Sequence, residues 1–331
     1  MAGANGGSAN LESGEPELIG TDAAASPTFD IRMPDRQTAP VVFSSPHSGR
    51  QYPPEFVSSS RLDAMALRRS EDSFVDEIFA AAPEFGTPLL RALFPRAYVD
   101  ANREAYELDP AMFDSPLPAY VRTHSPRVAA GLGTVPRVVA NGEAIYDTKI
   151  SFDDVRTRIE AQYRPYHHAL NGLLDGTHAR FGGVLLVDCH SMPSITSLGG
   201  NGGSRGQRSK ALKNIDIVLG DCHGASCSPG IVDLAEQALK KMEYRVVRNR
   251  PYAGGYITRR HGQPEEGRHA LQIEINRALY MDEQRIQRGP GLPNLIRRMN
   301  RLIKILSEID LAMLQPFETK EPAEWQPKAA E

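Results

Sequence analysis

The run Val184-Leu185-Leu186-Val187 narrows the fold more than any other segment of the chain. Four apolar residues without polar alternation read as a strand buried on both faces, which occurs where helices cover both sides of a sheet. It leads into Asp188-Cys189-His190-Ser191. Two further strand-like runs behave alike. Pro40–Ser45 leads into Pro46-His47-Ser48-Gly49, and Ala270–Ile273 leads into Glu274-Ile275-Asn276-Arg277. In an α/β sheet, ligands gather at the carboxyl ends of strands. Two histidines and a glutamate so placed match a hydrolytic zinc site, with protein ligands and a separate carboxylate base.

The rest of the chain supports that architecture. Strand-like segments at Val41–Phe43, Pro88–Phe94, Ala97–Asp100, Ile215–Leu219 and Tyr244–Arg248 alternate with helical patterns. The helical patterns run over Leu67–Ala82 with Ser70 as N-cap, Phe152–Leu174 with a break near Pro165, Ile231–Met242, and Leu292–Leu314. Such alternation predicts an α/β protein, a three-layer α/β/α sandwich with a mixed, mostly parallel central sheet. Residues 1–38 are rich in Gly, Ala, Ser, Pro and Glu and read as a disordered tail, residues 39–315 as one domain, and residues 316–331 as a second tail.

Composition excludes several classes. The chain has 331 residues and a net charge of −3, with no basic excess to attract nucleic acid. No apolar run approaches the roughly 20 residues of a membrane helix. The start shows neither the basic nor the apolar region of a signal peptide. Cys189, Cys222 and Cys227 are odd in number and lack framework spacing, which points to a reducing cytoplasm. No feature sets an oligomeric state.

Each candidate residue also has a bland reading. His47 sits in a turn and could be there for the turn alone. His190 follows Asp188 at i, i+2, so both side chains lie on one side of a strand and Asp188 can orient the imidazole; alternatively Asp188 caps the next loop. A third ligand is open between Glu71 and Asp72, since acidic residues in a first helical turn also complement the dipole. Glu274 lies in Leu271-Gln272-Ile273-Glu274-Ile275, where burial would raise its pKa toward that of a general base. The alternative puts Gln272, Glu274 and Asn276 in an outward row. Asn102-Arg103 suits a carboxylate clamp, and Arg259-Arg260-His261 after Gly254-Gly255 forms a second cationic cluster. Two such clusters beside a metal suggest a small dianionic substrate. The glycine-rich stretch Gly199–Gly206 lacks the phosphate-loop pattern and reads as a loop over the site. Cys222-His223 and Cys227 lack the spacing of a structural zinc site.

Taken together, Pro46-His47-Ser48-Gly49, Asp100-Ala101-Asn102-Arg103, Asp188-Cys189-His190-Ser191, Gly220 with Gly224-Ala225-Ser226-Cys227, Gly254–Arg259 and Gln272-Ile273-Glu274 resemble the N-formylglutamate amidohydrolase family. The resemblance covers about residues 40 to 285. It implies a zinc-carboxypeptidase-like fold with a mixed sheet of about eight strands, distantly similar to aspartoacylases. It implies one zinc ion per chain bound by His47, His190 and one residue of the Glu71-Asp72 pair, with Asp72 favoured because the family keeps an aspartate there. Glu274 matches the catalytic glutamate and Asn102-Arg103 the substrate-carboxylate pair. Arg96 is expected to help hold a developing oxyanion, and Arg259 with His261 to contact substrate. Zinc carboxypeptidases carry His-x-x-Glu, whereas here Ser48, Gly49 and Arg50 follow His47, so a ligand must come from a later helix. The implied reaction is hydrolysis of N-formyl-L-glutamate. The competing expectations are deacylation of another small acidic N-acyl amino acid or cleavage of a small peptide, and metal or ligand binding without turnover.

Overall fold

The computed structural model describes residues 27–194 and 215–316. The central sheet is built of β1 (Phe29–Arg32), β2 (Val41–Ser45), β3 (Leu89–Ala92), β4 (Val184–Met192), β5 (Ile217–Gly220), β6 (Val246–Arg248) and β7 (Arg268–Asn276). The α-helices are α1 (Pro54–Ser59), α2 (Ala64–Arg68), α3 (Val75–Ile78), α4 (Pro126–Ala129), α5 (Phe152–Arg158), α6 (Arg164–Phe181), α7 (Pro229–Lys241), α8 (Tyr256–His261) and α9 (Leu292–Ser307). Strand order is β1-β3-β2-β4-β7-β5-β6. The four central strands are mutually parallel, β1 and β5 join antiparallel at either side, and β6 runs parallel to β5. The sheet is therefore mixed and mostly parallel, with seven strands among the described residues where about eight were expected.

Strand geometry sends alternate side chains to opposite faces, and both faces are dry. Leu185, Val187, Leu271, Ile273 and Ile275 pack with Ile231, Val232 and Leu239 of α7 and with Leu295, Met299, Leu302 and Leu306 of α9. On the other face Val42, Leu186 and Ala270 meet Val155, Ile159, Tyr166, Leu170 and Leu174 of the α5–α6 helix. The two helical layers around this sheet complete an α/β/α sandwich. Between α5 and α6, Ile159–Tyr163 form a π-turn closed by the Arg164 amide on the Ile159 carbonyl. It lies just ahead of Pro165, whose ring crowds an ordinary helical turn and which brings no N–H.

Three local expectations are corrected. Residues 1–26 lie outside the described residues, but Phe29–Arg32 pairs with β3 as an edge strand, so the N-terminal tail as read extends too far. Its alternation over four residues is too short to register as periodicity. Leu67–Ala82 is not one helix. α2 stops at Arg68, Phe74 takes the left-handed region (φ 67°), and α3 begins at Val75. Ser70 caps no helix; its hydroxyl accepts from the Ala140 amide at 3.1 Å. The interruption lets the Asp72 amide bond the His47 carbonyl at 2.9 Å, a tie that a continuous helix would forbid. Ala97–Asp100 is a buried turn following Pro95, with Asp100 N held by the Thr134 carbonyl at 2.7 Å. Its apolar residues reflect burial, not pleating. The glycine-rich stretch at 199–206 and residues 317–331 lie outside the described residues. No helix of the described residues is long and apolar enough to cross a membrane.

Candidate active site

Parallel pairing of β4 with β7 sets His190 beside Glu274 and Asp188 beside Gln272. These four side chains share one face, near the carboxyl ends of the central strands. His47 arrives from the turn after β2, and Asp72 from the break between α2 and α3. His47, Asp72 and His190 converge so that their ligand atoms all lie within 4.8 Å of one another, and all three are buried.

The convergence has a defined polarity. His190 Nδ1 lies 3.0 Å from Asp72 Oδ2, and His47 Nδ1 lies 3.4 Å from the same oxygen. The opposite nitrogens are held by other carboxylates. His47 Nε2 donates to Asp100 Oδ1 at 2.7 Å, and His190 Nε2 to Asp188 Oδ2 at 3.0 Å. Each imidazole thus turns its Nδ1 toward one point while a carboxylate fixes its tautomer from behind. Asp72 Oδ1 is occupied by Arg277 Nη2 at 3.0 Å and Ser191 Oγ at 3.3 Å, leaving Oδ2 facing the histidines.

The donor set suits a divalent metal. His47 Nδ1 is buried and makes no hydrogen bond, a costly state unless something binds it. Two imidazoles and one carboxylate are zinc ligands by chemistry, and three protein ligands leave a position open for catalysis.

Charge coupling inside this buried cluster is strong. Burial by itself would raise the Asp72 carboxyl, but the hydrogen bond from His190 and the proximity of His47 outweigh it and hold the group well below the carboxylate range. Burial would lower His190, yet the Asp188 and Asp72 carboxylates hold it well above an ordinary histidine. Asp100 is raised by burial and more than compensated by Arg103, Arg96 and His47. Glu274 is different. Burial, reinforced by Asp72 and Asp188, pushes it up to about 7 against the pull of His190 and Arg96. Gln272 Nε2 donates to Glu274 Oε1 at 2.9 Å and orients it. Gln272 is 3% and Glu274 8% exposed, so the outward-row reading of this strand is set aside.

Glu71 is excluded from the convergence. Its carboxylate is consumed by Arg68 (2.9 and 3.1 Å), Tyr52 (2.9 Å) and Ser73 (2.9 Å). Arg96 gives Nε to Asp100 Oδ2 at 2.9 Å, which brings its charge beside Asp72 and Glu274. Asn102 Nδ2 lies 3.1 Å from His190 Nε2, and its Oδ1 accepts from the Ile257 amide at 2.8 Å. Arg103 gives Nε to the Leu132 carbonyl at 2.9 Å and Nη1 to the Asn102 carbonyl at 2.8 Å. Burial lowers Arg103 to about 10. Much of the expected open clamp is therefore spent on architecture. Arg259 is exposed on α8, with Nη1 on the Gly254 carbonyl at 3.1 Å. His261 is buried rather than presented at the surface, and burial followed by His167 lowers it to about 4.

α8 is pinned by this same network. The Gly255 amide donates to Gln272 Oε1 at 2.7 Å. A Cβ at Gly255 would meet Asn102 Nδ2 at 2.2 Å, so only glycine allows the helix to begin there. Asp100, Gln272 and Arg277 carry bonds to site residues that sequence reading left without a task. Asp100 opens the quoted Asp100–Arg103 motif and Gln272 alternates with Glu274, whereas nothing in the pattern marks Arg277 as the partner of Asp72.

Comparison with known proteins places the chain in a family. The family model of N-formylglutamate amidohydrolase matches residues 39–281. An N-formylglutamate deformylase of Pseudomonas aeruginosa is 31% identical over 252 residues, 75% of this chain and 85% of its own length. The N-formylglutamate deformylase of Pseudomonas putida is 27% identical over 247 residues, 74% of this chain and 82% of its own. A crystal structure of N-formylglutamate amidohydrolase from Ralstonia eutropha superposes with a TM-score of 0.77 at 37% identity, covering 85% of this chain and 97% of that one. The chain belongs to the N-formylglutamate amidohydrolase family and is an amidohydrolase.

Proposed function

We propose that this protein hydrolyses N-formyl-L-glutamate to formate and L-glutamate with one zinc ion held by His47, Asp72 and His190. The observation that carries the metal reading is the buried, unbonded His47 Nδ1 aimed with His190 Nδ1 at a single Asp72 oxygen. The substrate reading rests on the names of the relatives. A zinc ion in that place would supply a polarised water and a Lewis acid for the formyl oxygen.

The chain's own groups account for the proton movements. Glu274, whose basicity burial raises, takes a proton from the water that attacks the formyl carbon. It returns that proton to the amine nitrogen as the C–N bond breaks, so formate and the free amino acid leave with atoms balanced. Gln272 fixes the carboxylate in one orientation for both transfers. Arg96, paired through Nε with Asp100, supplies positive charge beside the reacting carbonyl. Arg103 with Asn102 is read as the anchor of one substrate carboxylate and Arg259 as that of the other. The three cysteines are unpaired, which supports a reducing compartment.

The test is formate release from N-formyl-L-glutamate by purified protein, with chelator and then with zinc restored. N-acetyl and N-succinyl donors run alongside separate acyl specificity from loss of chemistry. Chelator-sensitive release restored by zinc is the expected result. Release that persists in exhaustively chelated protein, or none from the folded zinc-loaded protein, would refute the proposal.

A further inference from the structure

Residues 100–103 serve the active site from a turn and not from a strand. Asp100 Oδ1 accepts from His47 Nε2 at 2.7 Å, and Asn102 Nδ2 lies 3.1 Å from His190 Nε2. Asn102 Oδ1 accepts from the Ile257 amide of α8 at 2.8 Å, and Arg103 is read as a substrate anchor. Ala101, Asn102 and Arg103 are all buried. A buried turn has no ladder of its own, so its carbonyls must be paired from elsewhere.

Two of those carbonyls are paired from one face of one helix. His167 of α6 donates Nε2–H to the Ala101 carbonyl at 2.9 Å. Tyr163, at the end of the π-turn, donates its hydroxyl to the Arg103 carbonyl at 2.8 Å. A spacing of i, i+4 sets the two side chains side by side, and their ring centroids lie 4.2 Å apart. The His167 ring also stands nearly perpendicular to that of Tyr256, 5.8 Å away, and Tyr256 opens α8. His167 therefore sits where α6, the 100–103 turn and α8 meet. Apolar rings would fill the same space; the N–H and the O–H are spent on the turn. Burial lowers His167 to about 4, so near neutral pH its ring carries one proton, on the nitrogen that faces the carbonyl.

The two bonds hold different ends of the turn. Ala101 lies between Asp100 and Asn102, which stand behind the imidazoles of His47 and His190. Arg103 lies on the side assigned to the substrate. We propose that His167 and Tyr163 are positioning residues with separate tasks: His167 holds the turn against the metal-binding imidazoles, and Tyr163 holds Arg103 for a substrate carboxylate. The first half rests on the metal reading above and the second on the substrate reading.

The experiment uses full-length protein and reads zinc affinity by competition with a chelator, then kcat and KM for N-formyl-L-glutamate at saturating zinc. Wild type, His167→Phe, His167→Gln and Tyr163→Phe are compared. His167→Phe keeps a ring beside Tyr163 and Tyr256 but removes the donor. It should lower zinc affinity about 10-fold, the low end for groups that orient metal ligands, with KM within about 3-fold of wild type. Tyr163→Phe should raise KM about 5- to 10-fold, the worth of one hydrogen bond, and leave zinc affinity within about 2-fold. His167→Gln returns an N–H at similar reach and should recover most of the zinc affinity. Should His167→Phe fail to fold, His167→Met takes its place in the comparison. Unchanged zinc affinity in His167→Phe, or an equal loss in Tyr163→Phe, would overturn the proposal. A glutamine variant no tighter than the phenylalanine one would assign the loss to packing and overturn it as well. A wild type that binds zinc but leaves N-formyl-L-glutamate intact would instead overturn the substrate reading, while the zinc affinities still decide the task of His167.

Discussion

Replacing Glu274 by glutamine in metal-free protein is expected to stabilise the fold at alkaline pH while removing its chemistry. Glu274 sits in the native protein at about 7 against an ordinary value of 4.5. The native state therefore holds a proton between those values that the unfolded chain has already released. Stability must fall as pH rises from about 4.5 through 7, by about 1.4 kcal/mol per unit of difference. The difference of about 2.5 units amounts to about 3 kcal/mol, fully lost above pH 7. Glutamine keeps the acceptor for Gln272 Nε2 and carries no charge, so Glu274→Gln should lack this decline. Urea unfolding of chelator-treated wild type and variant at pH 5 and pH 8.5 reads the effect directly. The variant should gain about 3 kcal/mol on wild type between the two conditions. Restoring zinc should shrink the gain, because a cation beside the carboxylate favours its ionised form. Parallel stability curves for the two proteins would refute the burial argument, and with it the account of how a glutamate works as a base here.

The same variant, zinc-loaded, should keep its metal yet lose about 10²–10⁴-fold in formate release, and a rate near wild type would remove Glu274 from the base role. Arg277→Met removes one of the two cationic partners 3.0 Å from buried Asp72 and leaves His190 as the other, which should cost about 1.5–3 kcal/mol in metal-free protein. Zinc should then raise the melting temperature of the variant more than that of wild type, and an equal zinc response would contradict the assigned role of Arg277. Asp100→Asn takes the charge from behind His47, and competition with a chelator should show metal affinity lowered about 10–100-fold. An affinity unchanged from wild type would show that His47 needs no orienting carboxylate. His261, pushed down to about 4 by burial, stays neutral while the unfolded chain gains a proton below its ordinary 6.5. Stability should therefore drop by as much as ~3 kcal/mol between pH 6.5 and 4, and His261→Leu should flatten that segment, which an unaltered slope would contradict.

How much of this was legible depended on whether a residue's task followed from its own segment. β2, β4 and β7 announce themselves because a strand covered on both faces can hold little but apolar residues until it reaches its functional end. His47, His190 and Glu274 stand at those ends, and the structure brings His47, His190 and Asp72 together. Asp188 behind His190 follows from period-2 geometry alone. The pattern of the residues left Asp72 and Glu71 open and the family resemblance favoured Asp72; both carboxylates are buried, and their bond partners tell them apart. Arg277 gains meaning only from Asp72, a residue far away in sequence. The broken helix at Leu67–Ala82 misled for a related reason. Its periodicity is genuine on either side, but a long-range bond between Asp72 and His47 overrides propensity at the centre.

The π-turn at Ile159–Tyr163 has a consequence for how this protein tolerates insertion and deletion. Leu174 follows Val155 by nineteen residues, and both pack on the same face of the sheet. At about 100° per residue, an unbroken α-helix would overshoot five full turns by about 100° and carry Leu174 off that face. The one extra residue in the wide turn absorbs the overshoot. The same turn ends at Tyr163, whose hydroxyl donates to the Arg103 carbonyl at 2.8 Å. Deleting a single residue here would set Pro165 against an ordinary helical turn with no N–H to give, and would rotate half of the helix away from both the core and the arginine it steadies. Phase along this helix is thus a counted quantity, fixed by the number of residues between Val155 and Leu174 and not by their identity.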